Sequence, residues 1–345
     1  MNTSTWKVRG QDQLVRALEV GLSLGRLSHA YLFVGPKHIG KKTLALDLAR
    51  AVNCLQENGR PCLHCDQCVR ISAFNHADVR VIDLSAPDGT SSRSKEIGID
   101  VIREIKHQVI LKPFEGRYRV FIFDGAENLS EEAANALLKT LEEPPQQVLI
   151  ILLTAWEDAV LPTILSRCQR LMLRLLPKEQ VVRELVEHHS VADGAAERLA
   201  RLSRGCLGWA ITALNDPEVL SIRNDRLEVI SSMTGADLEN RFSYAAELSS
   251  QYFRERDDVR EILYLWLGWW RDILLLGQGA EEYIQNLDFM ETLSQQAEKL
   301  TLVQKMHVVR SVCRTLDVLE HNVNPRLALE VMMLALPGTE RHLKE

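Results

Sequence analysis

No apolar run in this sequence of 345 residues is long enough to span a bilayer, which takes about 20 residues. The longest C-terminal candidate, residues 262–276, is interrupted by Arg271 and Asp272. Nor is there an excess of positive charge: 41 Lys and Arg stand against 47 Asp and Glu, a net −6. Any contact with nucleic acid therefore needs a local basic surface working against the overall field. Internal repeats and low-complexity linkers are missing, and 46% hydrophobic with 26% charged residues excludes a disordered or fibrous chain. The first ten residues lack the apolar segment of a signal peptide. The expectation is a cytoplasmic protein with no membrane association, where seven cysteines stay reduced and serve as ligands or core residues. The length suits two or three domains.

Short apolar runs at residues 29–34, 79–84, 119–124, 149–154 and 170–175 read as buried strands. Helical periods lie between them at 43–54, 99–109 and 131–141, the last opened by Ser130 as N-cap before Glu131 and Glu132. Strands alternating with helices predict a parallel α/β sheet. After Pro177 the strand signals stop. Residues 178–189, 194–203 and 206–214 predict three short helices, and everything periodic beyond Pro217 is helical. The boundaries expected from this are 1–176, 177–216 and 217–345.

The first strand runs into Gly35-Pro36-Lys37-His38-Ile39-Gly40-Lys41-Lys42-Thr43 and then a helix. That strand, loop and helix context makes G-x-x-x-x-G-K a nucleotide-binding phosphate loop rather than a bare glycine turn. Backbone amides and the helix N-terminus would face the phosphates, with Lys41 reaching the β/γ-phosphates. The position after the lysine should carry a Ser or Thr hydroxyl for magnesium. Lys42 stands there, with Thr43 one step late. The second half of an ATPase site, an apolar strand ending in Asp-Glu, is met by residues 120–123 and Asp124, but Gly125 follows and has no side chain to act as base. Glu127, two residues on, is expected to face away. Two departures at the two chemical positions predict ATP or ADP binding without efficient hydrolysis.

Cys54, Cys62, Cys65 and Cys68 give the spacing C-x7-C-x2-C-x2-C. Four thiolates so spaced suit tetrahedral Zn2+, and a closed set of four leaves no open position, so the metal would be structural. His64 between two ligands reads as a solvated loop residue, and Cys206 and Cys313 as core. Trp266, Trp269 and Trp270 sit in an apolar helical run and read as packing rather than a base-stacking platform.

A phosphate loop followed by an inserted four-cysteine module within an α/β domain resembles the bacterial clamp-loader ATPases of the AAA+ class. The resemblance extends to Lys112-Pro113-Phe114-Glu115-Gly116, to Asn135-Ala136-Leu137-Leu138-Lys139-Thr140-Leu141-Glu142-Glu143-Pro144-Pro145, to Ser166-Arg167-Cys168, and to the stretch from Asn322 to Glu330. It implies an AAA+ P-loop core with a zinc insertion near 54–68, a three-helix lid and a C-terminal helical collar that assembles an oligomer. Lys42, Gly125 and Gly208, which stands where an active subunit carries a sensing arginine, favour the delta-prime branch, a stator, over the ATP-hydrolysing gamma/tau motor branch. The chain's end at 345, without the extension of the longest motor subunits, agrees. On this resemblance Arg167 is an arginine finger acting in trans on a neighbour's nucleotide. Gly35, Gly40, Lys41, Lys42, Thr43, Asp124 and Thr154 line the chain's own nucleotide site, and Arg9 and Gln11 border its adenine pocket. The implied partners are gamma/tau and delta subunits, the sliding clamp, and primer-template DNA through the assembled complex, within the DNA polymerase III holoenzyme.

Overall fold

The apolar runs become five parallel strands in the order β2-β3-β4-β1-β5. This computed structural model describes residues 5–84, 96–320 and 323–338, so Asn322 lies outside the described residues. The chain divides into two units, residues 1–211 and 212–345. The helices expected as a separate lid fall almost wholly within the first.

In the first unit the elements run α1 (Asp12–Ser23), β1 (Ala30–Val34), α2 (Lys41–Asn53), α3 (Asp66–Ser72), β2 (Val79–Ile82), α4 (Ile99–Val109), β3 (Arg119–Asp124), α5 (Glu131–Glu142), β4 (Val148–Thr154), α6 (Pro162–Leu165) and β5 (Gln169–Met172). The helices α7 (Lys178–His189), α8 (Asp193–Ser203) and α9 (Leu207–Asn215) follow. Strand alternation builds two cores from one sheet. Val120 and Ile122 of β3 join Tyr31 and Phe33 on one face, packed with α2. Phe121 and Phe123 join Leu32 and Leu152 on the other, packed with α4 and α5. Every residue of β4 is buried, as a central parallel strand requires. Ser130 caps α5 by accepting from the Ala133 N–H.

Two buried carboxylates fix the periphery of this unit. Asp47 on α2 accepts from Val8 N at 2.8 Å and from Arg50 Nη1 at 2.5 Å, pinning the N-terminal segment. Burial raises its pKa to about 6 despite those donors. Asp78, before β2, accepts from the N–H groups of Phe114, Glu115 and Gly116, each at 2.8 Å, and from Arg119 at 3.0 Å. Burial opposes its ionisation, but those donors outweigh burial and hold its pKa below the ordinary value. Lys112-Pro113-Phe114-Glu115-Gly116 is thus a loop wrapped around one carboxylate.

The second unit contains α10 (Glu218–Met233), α11 (Leu238–Tyr252), α12 (Arg256–Leu276), α13 (Met290–Lys299), α14 (Leu302–Val318) and α15 (Pro325–Leu334). Trp266, Trp269 and Trp270 are buried on α12, at the centre of its apolar core. Asn324 caps α15 by accepting from Arg326 N and Leu327 N, with Pro325 in the first turn where no donor is lost. Arg241, buried on α11, donates to the carbonyls of Met233, Thr234, Leu336 and Pro337. Cys313 differs from expectation: it is exposed on α14, on the face turned from Val308 and Val312. Among the described residues no helix is long and apolar enough to cross a membrane.

Candidate functional site

Because β4 lies between β1 and β3, Val34, Asp124 and Thr154 end side by side at the carboxyl edge of the sheet, where open α/β sheets bind ligands. Residues 35–40 turn from β1 into α2, with Gly40 as its left-handed N-cap at φ 107°. The unpaired amides and dipole of the first turn of α2 favour an anion there. Thr43 sits half-buried in that turn. The Lys41 ammonium folds back on the loop, donating to Gly35 O at 2.5 Å and Pro36 O at 2.9 Å. Burial pushes its pKa down, with Glu127 and Asp124 opposing.

Lys42 takes a different path. Its ammonium lies 3.0 Å from Asp124 Oδ2 and 3.8 Å from Asp83 Oδ2. Asp83 was not singled out in the sequence, yet a signal existed: it follows a strand whose Ile82 pairs with Phe123, which sets it beside Asp124. Magnesium, the metal that AAA+ sites use, does not fit these residues. The carboxylate that would hold it is paired to a fixed cation, and the adjoining hydroxyl is a lysine. Gly125 closes the second route, since its φ of 99° strains any side chain and a Cβ would lie 2.6 Å from Asn128 Nδ2.

Glu127 corrects its expected orientation. It faces the site, accepting from Ala155 N at 3.2 Å and raising the Lys41 pKa, while its Oε2 is buried without a hydrogen bond. Its short 3-10 turn, residues 126–128, rotates it inward. Thr154 spends its hydroxyl locally, donating to Trp156 O at 2.9 Å and accepting from Trp156 N at 3.0 Å. Gln11 holds the backbone of Arg174 through both ends of its amide, and Arg9 pairs with Glu184. Gly208 rests on the phosphate loop: its N–H donates to His38 O at 2.9 Å, and a Cβ would meet that oxygen at 2.5 Å. No arginine fits where its backbone lies.

Arg167 follows α6 on a separate edge of the sheet. Cys168 turns into the core, where burial pushes its thiol up to about 12, while the Arg167 side chain stays 34% exposed. Its Nη1 donates to Thr163 O at 2.9 Å and Ser166 Oγ at 3.1 Å, and its Nη2 to Glu142 Oε1 at 2.5 Å. Glu142 belongs to the Leu-Glu-Glu-Pro-Pro run, whose sequence gives no sign of this pairing.

The four cysteines converge. Cys54 ends α2, Cys65 begins α3 and Cys68 lies within it, and all four sulfurs fall within 4.8 Å of one another. Four thiols so close fit a tetrahedral zinc ion, whose Zn–S bonds of about 2.3 Å place sulfurs somewhat under 4 Å apart. The Cys62 N–H points at Cys54 Sγ and the Cys65 N–H at Cys62 Sγ, as thiolates favour. Burial opposes ionisation of Cys65, but backbone donors and neighbouring thiols bring its pKa down to about 6. His64 is exposed. Gln67 and Arg70 of α3 bond Glu115, so the module is anchored to the loop around Asp78.

Two family models match this chain: "DNA polymerase III, delta subunit" over residues 10–177 and "DNA polymerase III, delta subunit, C terminal" over residues 223–337. The delta' subunit of DNA polymerase III from Bacillus subtilis is 28% identical over 337 residues, covering 96% of this chain and 98% of its own length. The tau subunit of the same organism is also 28% identical, over 354 residues, but this chain spans only 61% of it. The Escherichia coli tau subunit is 36% identical over 236 residues, 66% of this chain and 35% of its own. The tau relatives are thus considerably longer, whereas the delta' relative matches end to end. With its parallel sheet, phosphate loop and helical second unit, the protein has the AAA+ fold and belongs to the family of bacterial DNA polymerase III clamp-loader subunits, delta-prime type.

Proposed function

We propose that this chain is a non-hydrolysing stator of the clamp loader, which presents Arg167 to a nucleotide held by a neighbouring motor subunit and helps load the sliding clamp onto primed DNA. Its partners are gamma/tau and delta subunits, the clamp, and primer-template DNA reached through the assembly. In this reading α7 to α9 form a lid and residues 217–345 a collar. The observation that carries it is the 3.0 Å pair between Lys42 and Asp124, which occupies the carboxylate that metal-dependent hydrolysis needs. Gly125 supports it, since general-base catalysis is worth roughly 10²–10⁴ in rate and no base stands at that position.

A motor reading draws on the inward Glu127. Its geometry argues against it: one oxygen is bonded to Ala155 N, and its charge acts on Lys41. A planar guanidinium suits the charge that develops on a transferring phosphoryl group, and Arg167 sits after a short helix with its side chain partly exposed. The test is reconstitution with motor and delta subunits. Arg167→Ala should leave zinc content and folding intact but slow DNA-stimulated ATP hydrolysis and clamp loading, and Arg167→Lys should rescue poorly. Loading at the unmodified rate by the Arg167→Ala complex would overturn the finger assignment.

A further inference from the structure

The carboxyl edge of the sheet brings two carboxylates to one point. Asp83 after β2 and Asp124 at the end of β3 both approach the Lys42 ammonium, at 3.8 and 3.0 Å. Magnesium demands near-octahedral oxygen ligation at about 2.0–2.1 Å. To reach Asp124 it must break the ion pair and leave a lysine beside a doubly charged ion. The next hydroxyl, Thr43, is one residue late on a helix, about 100° around its axis. The Lys42 side chain is 40% exposed and Asp124 33%, so the pair lies at the solvent-facing edge of the sheet rather than sealed beneath it.

We infer that the phosphate loop takes a nucleoside polyphosphate free of divalent metal, with the Lys42 ammonium standing where the metal would. This rests on the loop's being a nucleotide site and goes beyond it in removing the cation. An ammonium is a compact point charge with three donors, enough to keep Asp124 and meet a phosphate oxygen. Lys41 supplies a second cation once a phosphate draws it from Gly35 O and Pro36 O. Glu127, Asp124 and Lys37 also face Lys41. Lysines and carboxylates are thus nearly balanced here, and the loop amides share the work of holding the anion.

A nucleotide arriving as its magnesium complex must shed the ion, so free magnesium competes with binding. The experiment is calorimetric titration of the full chain with ADP, in buffer stripped of divalent cations by resin and in the same buffer with excess MgCl2. Zinc content is verified in both. The expected result is binding in stripped buffer, weakened about threefold or more by magnesium through mass action. Lys42→Thr, which supplies the missing hydroxyl and frees Asp124, should reverse the order and bind more tightly with magnesium. Tighter binding of the unmodified chain with magnesium, or no binding in either buffer at millimolar ADP, overturns the inference. Neither measurement involves Arg167 or a partner subunit, so failure here leaves the finger to its own test.

Discussion

Replacing Gly208 by alanine asks whether the start of α9 rests on the phosphate loop, and the answer is read as a sign. In a helix without neighbours, alanine stabilises relative to glycine by up to about 1 kcal/mol. Here the added methyl would lie 2.5 Å from His38 O and 3.2 Å from its carbonyl carbon, far inside contact distance. Relieving that overlap costs about 1–3 kcal/mol, as overpacked sites do. It also pulls apart the 2.9 Å hydrogen bond from Gly208 N to His38 O, worth about 1 kcal/mol. The helical gain offsets part of this, leaving a net loss of roughly 1–3 kcal/mol. For a cooperative unit of this size each kcal/mol moves the midpoint by about 2–4 °C, so Gly208→Ala should lower it by roughly 2–12 °C. Differential scanning calorimetry gives the shift, and hydrogen exchange at residue 208 reports whether the amide has lost its partner. An unchanged or raised midpoint, with that amide still protected, would refute the contact.

Stripping the metal with a strong chelator should release one zinc per chain and remove hydrogen-exchange protection from residues 54–68, while β3 and β4 keep theirs. Cys62→Ser should do the same without chelator, and metal analysis checks both. Asp47 should make stability fall as pH rises from about 4 to 6: with its folded pKa raised to about 6, the folded chain holds a proton that the unfolded chain releases. The swing is about 3 kcal/mol for two pKa steps, and Asp47→Asn should flatten it in urea titrations across that range.

The sheet was legible because its chemistry is local. Residues 148–154 contain six apolar side chains and one threonine, and nothing but a buried strand accommodates that run between turns. Residues 99–109 and 178–189 are helices over the spans that their periodicity implies. The four-cysteine module was equally readable, since its ligands lie within fifteen residues. The short helices α3 and α6 were missed because seven and four residues carry too little periodicity to separate them from loop. The pairing of Lys42 with Asp124 was beyond reach for another reason: it joins residues 82 apart through strand order, which no local pattern encodes. Glu127 was misjudged because an extended count from Asp124 ignores the 3-10 turn that rotates it inward. The exposure of Cys313 shows the same limit in a bundle, where most residue types tolerate a helical position and tertiary neighbours decide which face is covered.

Arg241 sets an order of events during synthesis. The carbonyls it holds belong to the turn after α10 and to residues 336–337, more than ninety positions later. Met233 and Thr234 supply acceptors at once, but Nη1 has none of its own until the segment around Leu336 is made. A buried donor left unpaired is costly, so the packed position of α11 is incomplete until that distant segment exists. The first unit has all five of its strands once residue 172 has left the ribosome. At about 5–20 residues per second, the second must then wait on the order of ten to thirty seconds for the partners of Arg241. Throughout that interval the chain carries a finished sheet followed by an unfinished bundle, whose apolar core around Trp266, Trp269 and Trp270 still lacks Leu329, Met332 and Met333 of α15. The most aggregation-prone moment in this protein's life therefore comes late in its own translation, and a nascent-chain chaperone has its clearest work there.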